Sequence, residues 1–209
     1  MIITASLTSL TSFDSLVLIA PTFGVVVGVV ILLIGEICGA VINPALTLAA
    51  VAARSVKSGL LLPYVIFQLA GGIFAGVTLR AIFPVVGSTD LGSTKLAAGI
   101  DPLSGIIIEA IGTFVLASAA LVAGKKFQKH WQQAIMVGGT LFLLILFIGP
   151  LTGASFNPAR TLGPALASSY LNDLYVYMIG PCLGALIAGI TFRWVNNRIE
   201  TKNTVCVRP

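Results

Sequence analysis

One ten-residue stretch occurs twice in this 209-residue chain. Gly39-Ala40-Val41-Ile42-Asn43-Pro44-Ala45-Leu46-Thr47-Leu48 and Gly153-Ala154-Ser155-Phe156-Asn157-Pro158-Ala159-Arg160-Thr161-Leu162 agree at seven of ten positions. A repeat of that length points to a duplicated structural unit. Asn is a preferred N-cap, and Pro is preferred at the first helical position, where its missing N–H is not needed. Asn43-Pro44 and Asn157-Pro158 should therefore each start a helix, from Ala45 to about Arg54 and from Ala159 to about Ser168. Each is too short to cross a bilayer, which takes about 20 residues.

The surroundings place both stretches in lipid. The chain is 57% hydrophobic and only 9% charged, with a mean hydropathy of +1.04, against about 25% charged for a soluble domain. Non-helical backbone at membrane depth persists only where it is buried in protein or lines a cavity. Two half-helices entering from opposite faces would aim their positive N-terminal ends at one midplane point. Each capping Asn would use its oxygen on the helix and leave its NH2 free to donate into the cavity. Such a constriction suits neutral acceptor molecules and repels cations.

Five apolar spans are expected, at Leu16 to Ile34, Leu60 to Pro84, Leu103 to Gly124, Trp131 to Pro150 and Asn172 to Val195. Met1 to Asp14 and Val85 to Pro102 read as loops. No basic n-region or cleavage site marks a signal peptide at the start. Arg54, Lys57, Lys125, Lys126, Lys129, Arg193, Arg198, Lys202 and Arg208 fall on one side of this threading, and Arg80 and Lys95 on the other. That bias makes the first side, with the C-terminal tail, cytoplasmic. It also explains the net charge of +5 as juxtamembrane and excludes nucleic acid as a partner. Cys38, Cys182 and Cys206 have no metal or disulfide spacing, and Cys38 and Cys182 read as small packing residues.

The paired Asn-Pro-Ala motifs, with Arg160 after the second, resemble the aquaporin (major intrinsic protein) family over nearly the whole chain. The resemblance implies an all-α membrane protein: an inverted repeat of transmembrane helices with two re-entrant half-helices meeting at the midplane. It would form one membrane domain over 1–209, with a first repeat in 1–84, a second in 103–195 and a cytoplasmic tail in 196–209. Asn43, Pro44, Ala45, Asn157, Pro158 and Ala159 would form the pore centre. Glu109 precedes Asn157 by 48 residues, and an equivalent Glu before Asn43 would lie upstream of Met1. Family members have six spans, so the first span looks absent, either because the sequence starts late or because the pore has lost a wall.

The resemblance also implies a four-position selectivity filter at Phe23, Ile145, Ala154 and Arg160. Arg160 carries a permanent charge and five donors in a fixed fork, which can hold a neutral solute and raise a barrier to protons. Strict water channels usually carry His where Ile145 stands, so this filter should be wider and less polar. Thr161 is not the Asp of glycerol facilitators, Tyr177 is water-channel-like, and Met178 is facilitator-like. This intermediate pattern resembles some archaeal channels and plant nodulin-like intrinsic proteins. Glu109, in Ile108-Glu109-Ala110-Ile111-Gly112-Thr113-Phe114, would accept backbone N–H groups of the second re-entrant loop. Glu36 would brace the first loop, or else face cytoplasmic water. Gln68 resembles a residue of the family's third span. Gly72-x-x-x-Gly76 and Gly180-x-x-x-Gly184 should hold corresponding places in the two halves and let helices cross closely. His130, beside three lysines, reads as solvated, and Ser55 and Ser58 as residues of a polar turn, with pH gating and phosphorylation the lesser alternatives.

The function expected is a passive channel for water and small uncharged solutes such as glycerol, excluding protons and ions. The alternatives are an aquaglyceroporin-like facilitator, a secondary transporter, or a truncated non-conducting membrane protein. A transporter should carry a titratable group near the crossing, and the motifs supply only Asn, Pro and Ala. No metal cluster, activated nucleophile or phosphate loop indicates an enzyme or a cofactor. The implied partners are the lipid bilayer and, by family resemblance, three further copies in a homotetramer.

Overall fold

The computed structural model describes residues 13–82 and 91–206. Most of them lie in helices: α1 (Phe13–Cys38), α2 (Pro44–Ala52), α3 (Leu61–Ile82), α4 (Pro102–Lys126), α5 (His130–Thr152), α6 (Pro158–Ser168) and α7 (Leu174–Cys206). Five helical segments of 23–26 residues are long and apolar enough to cross a membrane, and α2 and α6 are not. The expected first loop lies mostly outside the described residues, although Phe13 and Asp14 are already helical. Helix α7 runs on through the polar residues from Asn196 to Cys206, so the described part of the polar tail is helical. Polarity marks where lipid ends, not where helical hydrogen bonding ends.

Both half-helices start as their caps dictate. Asn43 (φ −144°, ψ 118°) accepts from the N–H groups of Ala45 and Leu46, and Asn157 (φ −155°, ψ 109°) from those of Ala159 and Arg160. The turns before them also match. Gly39 and Gly153 have φ of 69° and 78°, and Ala40 and Ala154 follow at 51° and 47°. Left-handed backbone disfavours a larger side chain, which accounts for Gly-Ala opening both copies.

The packing is two-fold in pattern. Helix α1 crosses α5, α3 lies on α6, and α2 lies on α7. At the α1–α5 crossing Gly24 and Gly138 stand at each other's carbonyl: a Cβ on Gly24 would sit 2.7 Å from the Gly138 oxygen, and one on Gly138 2.5 Å from the Gly24 oxygen. Gly76 faces the carbonyl of Gly163 as Gly189 faces that of Ala49. Ala49 and Gly163 each lie six residues past their asparagines. The partner of the Gly72–Gly76 pair in α7 is therefore Ala185–Gly189, not Gly180–Gly184 as spacing alone suggests.

Gly180 and Gly184 instead abut α4, at Ile106 and Ala110. By the same correspondence Gly184 maps onto Gly71, which has nothing within 4 Å. Only 6% of the apolar window of α3 is buried, against 28–44% in the other spans. The described part of the first repeat has no counterpart of α4, and this open face of α3 is where such a helix would lie.

Candidate functional site: the meeting point of the half-helices

The two asparagines bond across the repeat. Asn43 Nδ2 donates to the carbonyl of Phe156 at 2.8 Å, and Asn157 Nδ2 to that of Ile42 at 3.3 Å. Phe156 and Ile42 are the residues just before the two asparagines, so the bonds are reciprocal. The expectation that each NH2 is wholly free is thus corrected. One N–H ties the loops together, and the second remains for the cavity, since an amide nitrogen carries two. Pro44, Ala45, Pro158 and Ala159 are buried behind them.

Each loop has its own brace. Around the second, Glu109 is fully buried. Its Oε1 accepts from Thr152 Oγ1 at 2.6 Å and from the Ser155 N–H at 3.0 Å. Its Oε2 accepts from the Phe156 N–H at 2.8 Å. Tyr177 reaches the same loop, donating to the Thr152 carbonyl at 2.8 Å. The Phe156 ring is stacked over Gly112, where any Cβ would collide with it. Around the first loop the brace is Gln68, whose Nε2 donates to the Val41 carbonyl at 2.7 Å and lies 2.9 Å from Thr47 Oγ1. Glu36 does not brace it. The Glu36 side chain is 86% exposed and meets His130 Nδ1 at 3.8 Å. A helical residue one turn before the loop points outward here, and Gln68 fills the inward place. His130 is correspondingly not just solvated, because its ring lies against Gly35. Cys38 is exposed rather than packed.

Arg160 is held from two sides. Its Nη1 donates to the Gly92 carbonyl at 2.6 Å, its guanidinium lies 5.2 Å from the Phe23 ring centroid, and its Nε is buried without a protein partner. The loop that supplies Gly92 is itself tied to α6. Thr94 Oγ1 lies 3.0 Å from Thr161 Oγ1, which lies 2.6 Å from Ser155 Oγ. Ser93 Oγ lies 2.9 Å from Ser168 Oγ. On the same side Arg80 donates to the Ala167 carbonyl at 2.7 Å, capping the end of α6.

The sequence reading missed Thr152, Ser155, Thr94 and the threonines of the motif. A signal existed for two of them. Thr47 and Thr161 each lie four residues past the motif asparagine and are identical in the two copies. A hydroxyl kept in both copies of an apolar repeat marks a loop tie.

A cavity of about 1270 Å³ runs along this site, with Asn43, Asn157, Phe23, Ala154 and Arg160 on its wall. From α5 the wall takes Gln133, Val137 and Leu141. Ile145, one turn further along α5, is only 3% exposed and packs in the apolar cluster that contains Phe23, Leu141 and Ala154. No Asp or Glu lines the cavity among the described residues.

Five spans, two re-entrant half-helices joined tip to tip and a cavity along their junction define an integral, multi-pass membrane protein of inverted-repeat construction. The family model for the major intrinsic protein matches residues 2–192, and the chain belongs to that family. Aquaporin NIP3-1 of Arabidopsis thaliana is 36% identical over 91% of this chain and 60% of its own length. Nodulin-26 of Glycine max is 36% identical over 87% of this chain and 65% of its own length. Aquaporin AqpM of Methanothermobacter thermautotrophicus is 31% identical over 87% of this chain and 77% of its own. The chain thus spans under two thirds of the length of the two plant relatives. The aquaglyceroporin of Plasmodium falciparum shares the fold at a TM-score of 0.81 and 20% identity, covering 92% of this chain and 86% of that one.

Proposed function

We propose that the chain conducts water passively, lets small uncharged solutes such as glycerol through more slowly, and excludes protons and ions. The observation that carries this reading is the junction itself. Two helix N-termini face each other, and each carries an asparagine on the cavity wall with one N–H to spare. A water passing there accepts from both amides. The two positive helix ends disfavour a proton or cation at the same point. A cavity wall without acidic groups argues against ion-coupled transport.

Phe23, Ile145, Ala154 and Arg160 form the filter in this proposal. The Arg160 guanidinium, on the cavity wall, supplies the donor that meets the solute. Ala154 supplies apolar surface on the wall, with Ile145 packed behind it where a His would narrow the pore, and that favours glycerol passage as the second reading. The proposal extends to a homotetramer with one cavity per subunit and to a cytoplasmic C-terminus, supported by the family and by the bias of Lys and Arg.

Stopped-flow shrinkage of proteoliposomes under an osmotic step tests the reading, with Asn157→Asp as the comparison. Fast shrinkage in the parent chain and altered flux in the variant are expected. Glycerol uptake equal to that of empty vesicles would remove the second solute from the proposal.

A further inference from the structure

A second, smaller cavity of about 450 Å³ lies at the other end of α2, away from the half-helix junction. Its wall includes Arg54, Lys57 and Arg193, with Ser55, Ser58 and Val56 between them. We propose that this cavity is a binding site for a phosphate ester, supplied by the headgroup of an anionic lipid in the adjoining leaflet.

The site follows from how α2 ends. After Ala52 the chain reverses. Arg54 takes a left-handed φ of 61°, and the N–H groups of Ser55 and Val56 both donate to the Ala50 carbonyl, at 2.9 and 3.2 Å. That reversal sets Arg54, Ser55, Lys57 and Ser58 around one concavity. The third cation comes from α7. Gly189 packs on the Ala49 carbonyl, so Arg193, four residues on along the same helix face, arrives at the end of α2. Arg193 is half-buried there, while Arg54 and Lys57 are exposed.

The charge is one-sided. Three cations and two hydroxyls line the cavity, and no acid does. None of the three cations has a carboxylate partner among the described residues. The negative end of α2 opposes an anion here, but the Ala50 carbonyl is already bonded twice, and three full charges outweigh a partial one. An arginine fork and an ammonium beside hydroxyl donors match the oxygens of a phosphate.

Position points to a lipid rather than to a free ion. The cavity lies where the spans Ser58–Ile82 and Leu174–Ile199 begin and run out, at headgroup depth. Leu60 and Leu62 beside it are 42% and 67% exposed, which offers an apolar surface to the acyl chains. Ser55 and Val56 stand on the walls of both cavities, so an occupant sits against the mouth of the larger one.

Native mass spectrometry of the full chain titrated with phosphatidic acid and with phosphatidylcholine tests the proposal. Its readout does not depend on flux, so it stands or falls apart from the channel reading. The wild-type chain should retain phosphatidic acid about tenfold better than phosphatidylcholine. The triple variant Arg54→Gln/Lys57→Gln/Arg193→Gln should lose most of that preference. A control, Lys126→Gln/Lys129→Gln/Arg198→Gln, removes as many charges elsewhere and should keep it. In a second arm, inorganic phosphate is tested for protection of the wild type against thermal unfolding. Phosphatidic acid preference alone assigns the site to the leaflet. Protection by phosphate, absent in the triple variant, supports the same oxygen chemistry from a soluble source. If the triple variant does not fold, Lys57→Gln on the exposed turn should still cut the preference about fivefold. Equal preference in wild type and variant, with no response to phosphate, overturns the proposal.

Discussion

Replacing Glu109 with Gln tests whether the second re-entrant loop is shaped by three donors converging on one carboxylate. The side chains are nearly the same size, so packing is kept. Gln offers one acceptor oxygen in place of two. If that oxygen serves Thr152 and Ser155, as Oε1 does at 2.6 and 3.0 Å, the new NH2 faces the N–H of Phe156, which Oε2 accepts at 2.8 Å. The pair then becomes donor against donor inside a fully buried site. A buried N–H left without an acceptor costs about 1–3 kcal/mol. A penalty of that size shifts the balance between the ordered loop and its alternatives by about 5- to 150-fold. The loop carries Ala154 on the cavity wall and leads into Asn157 and Arg160, so its loss should reach the pore. The expected result is a lower unfolding midpoint in detergent together with reduced water permeability in proteoliposomes. Midpoint and permeability both unchanged in Glu109→Gln would refute the bracing argument.

Four further outcomes follow from the same geometry. Gly138→Ala places a methyl 2.5 Å from the Gly24 carbonyl, so the α1–α5 crossing must open at a cost of about 1–3 kcal/mol, seen as a lower melting temperature. Ile145→His should narrow the filter and lower glycerol uptake more than water flux, measured in the same vesicles. Gln68→Ala removes the donor to the Val41 carbonyl and should destabilise the first loop by about 1–3 kcal/mol, read as faster hydrogen exchange at residues 41–46. The hydroxyl and backbone N–H of Ser104 hold Asp101, the N-cap of α4, below the usual carboxylate range. With a lowered folded-state value, its capping is present above the ordinary Asp range of about 4 and lost as pH falls through the folded value. Amide exchange in the first turn of α4 should rise there, and less so in Asp101→Asn.

Much of this arrangement is legible in the sequence because it rests on local rules. An N-cap asparagine followed by proline starts a helix wherever it occurs, and the run of apolar residues from Leu16 declares a span. What stays hidden depends on contacts between distant segments. Nothing near Gly92 announces that its carbonyl meets Arg160, 68 residues away, and nothing near Gln68 marks it as the partner of Val41 and Thr47. Glu36 and Gln68 are both polar residues near the first loop. Only the helix rotation, outward for one and inward for the other, decides which acts on it. The glycine pairs mislead for a related reason. Gly180–Gly184 and Gly72–Gly76 share a spacing, but they face different neighbours, α4 and α6. The spacing of small residues tells that a close crossing exists, not with which helix.

Water and proton permeability measured together test the central claim most directly. The intact chain is reconstituted into vesicles holding a pH-sensitive dye, given an osmotic step and then a pH step. The account predicts water permeability well above that of empty vesicles, with a low activation energy, and a pH response no faster than theirs. Water permeability equal to that of empty vesicles, or a rapid pH collapse through the protein, would contradict it.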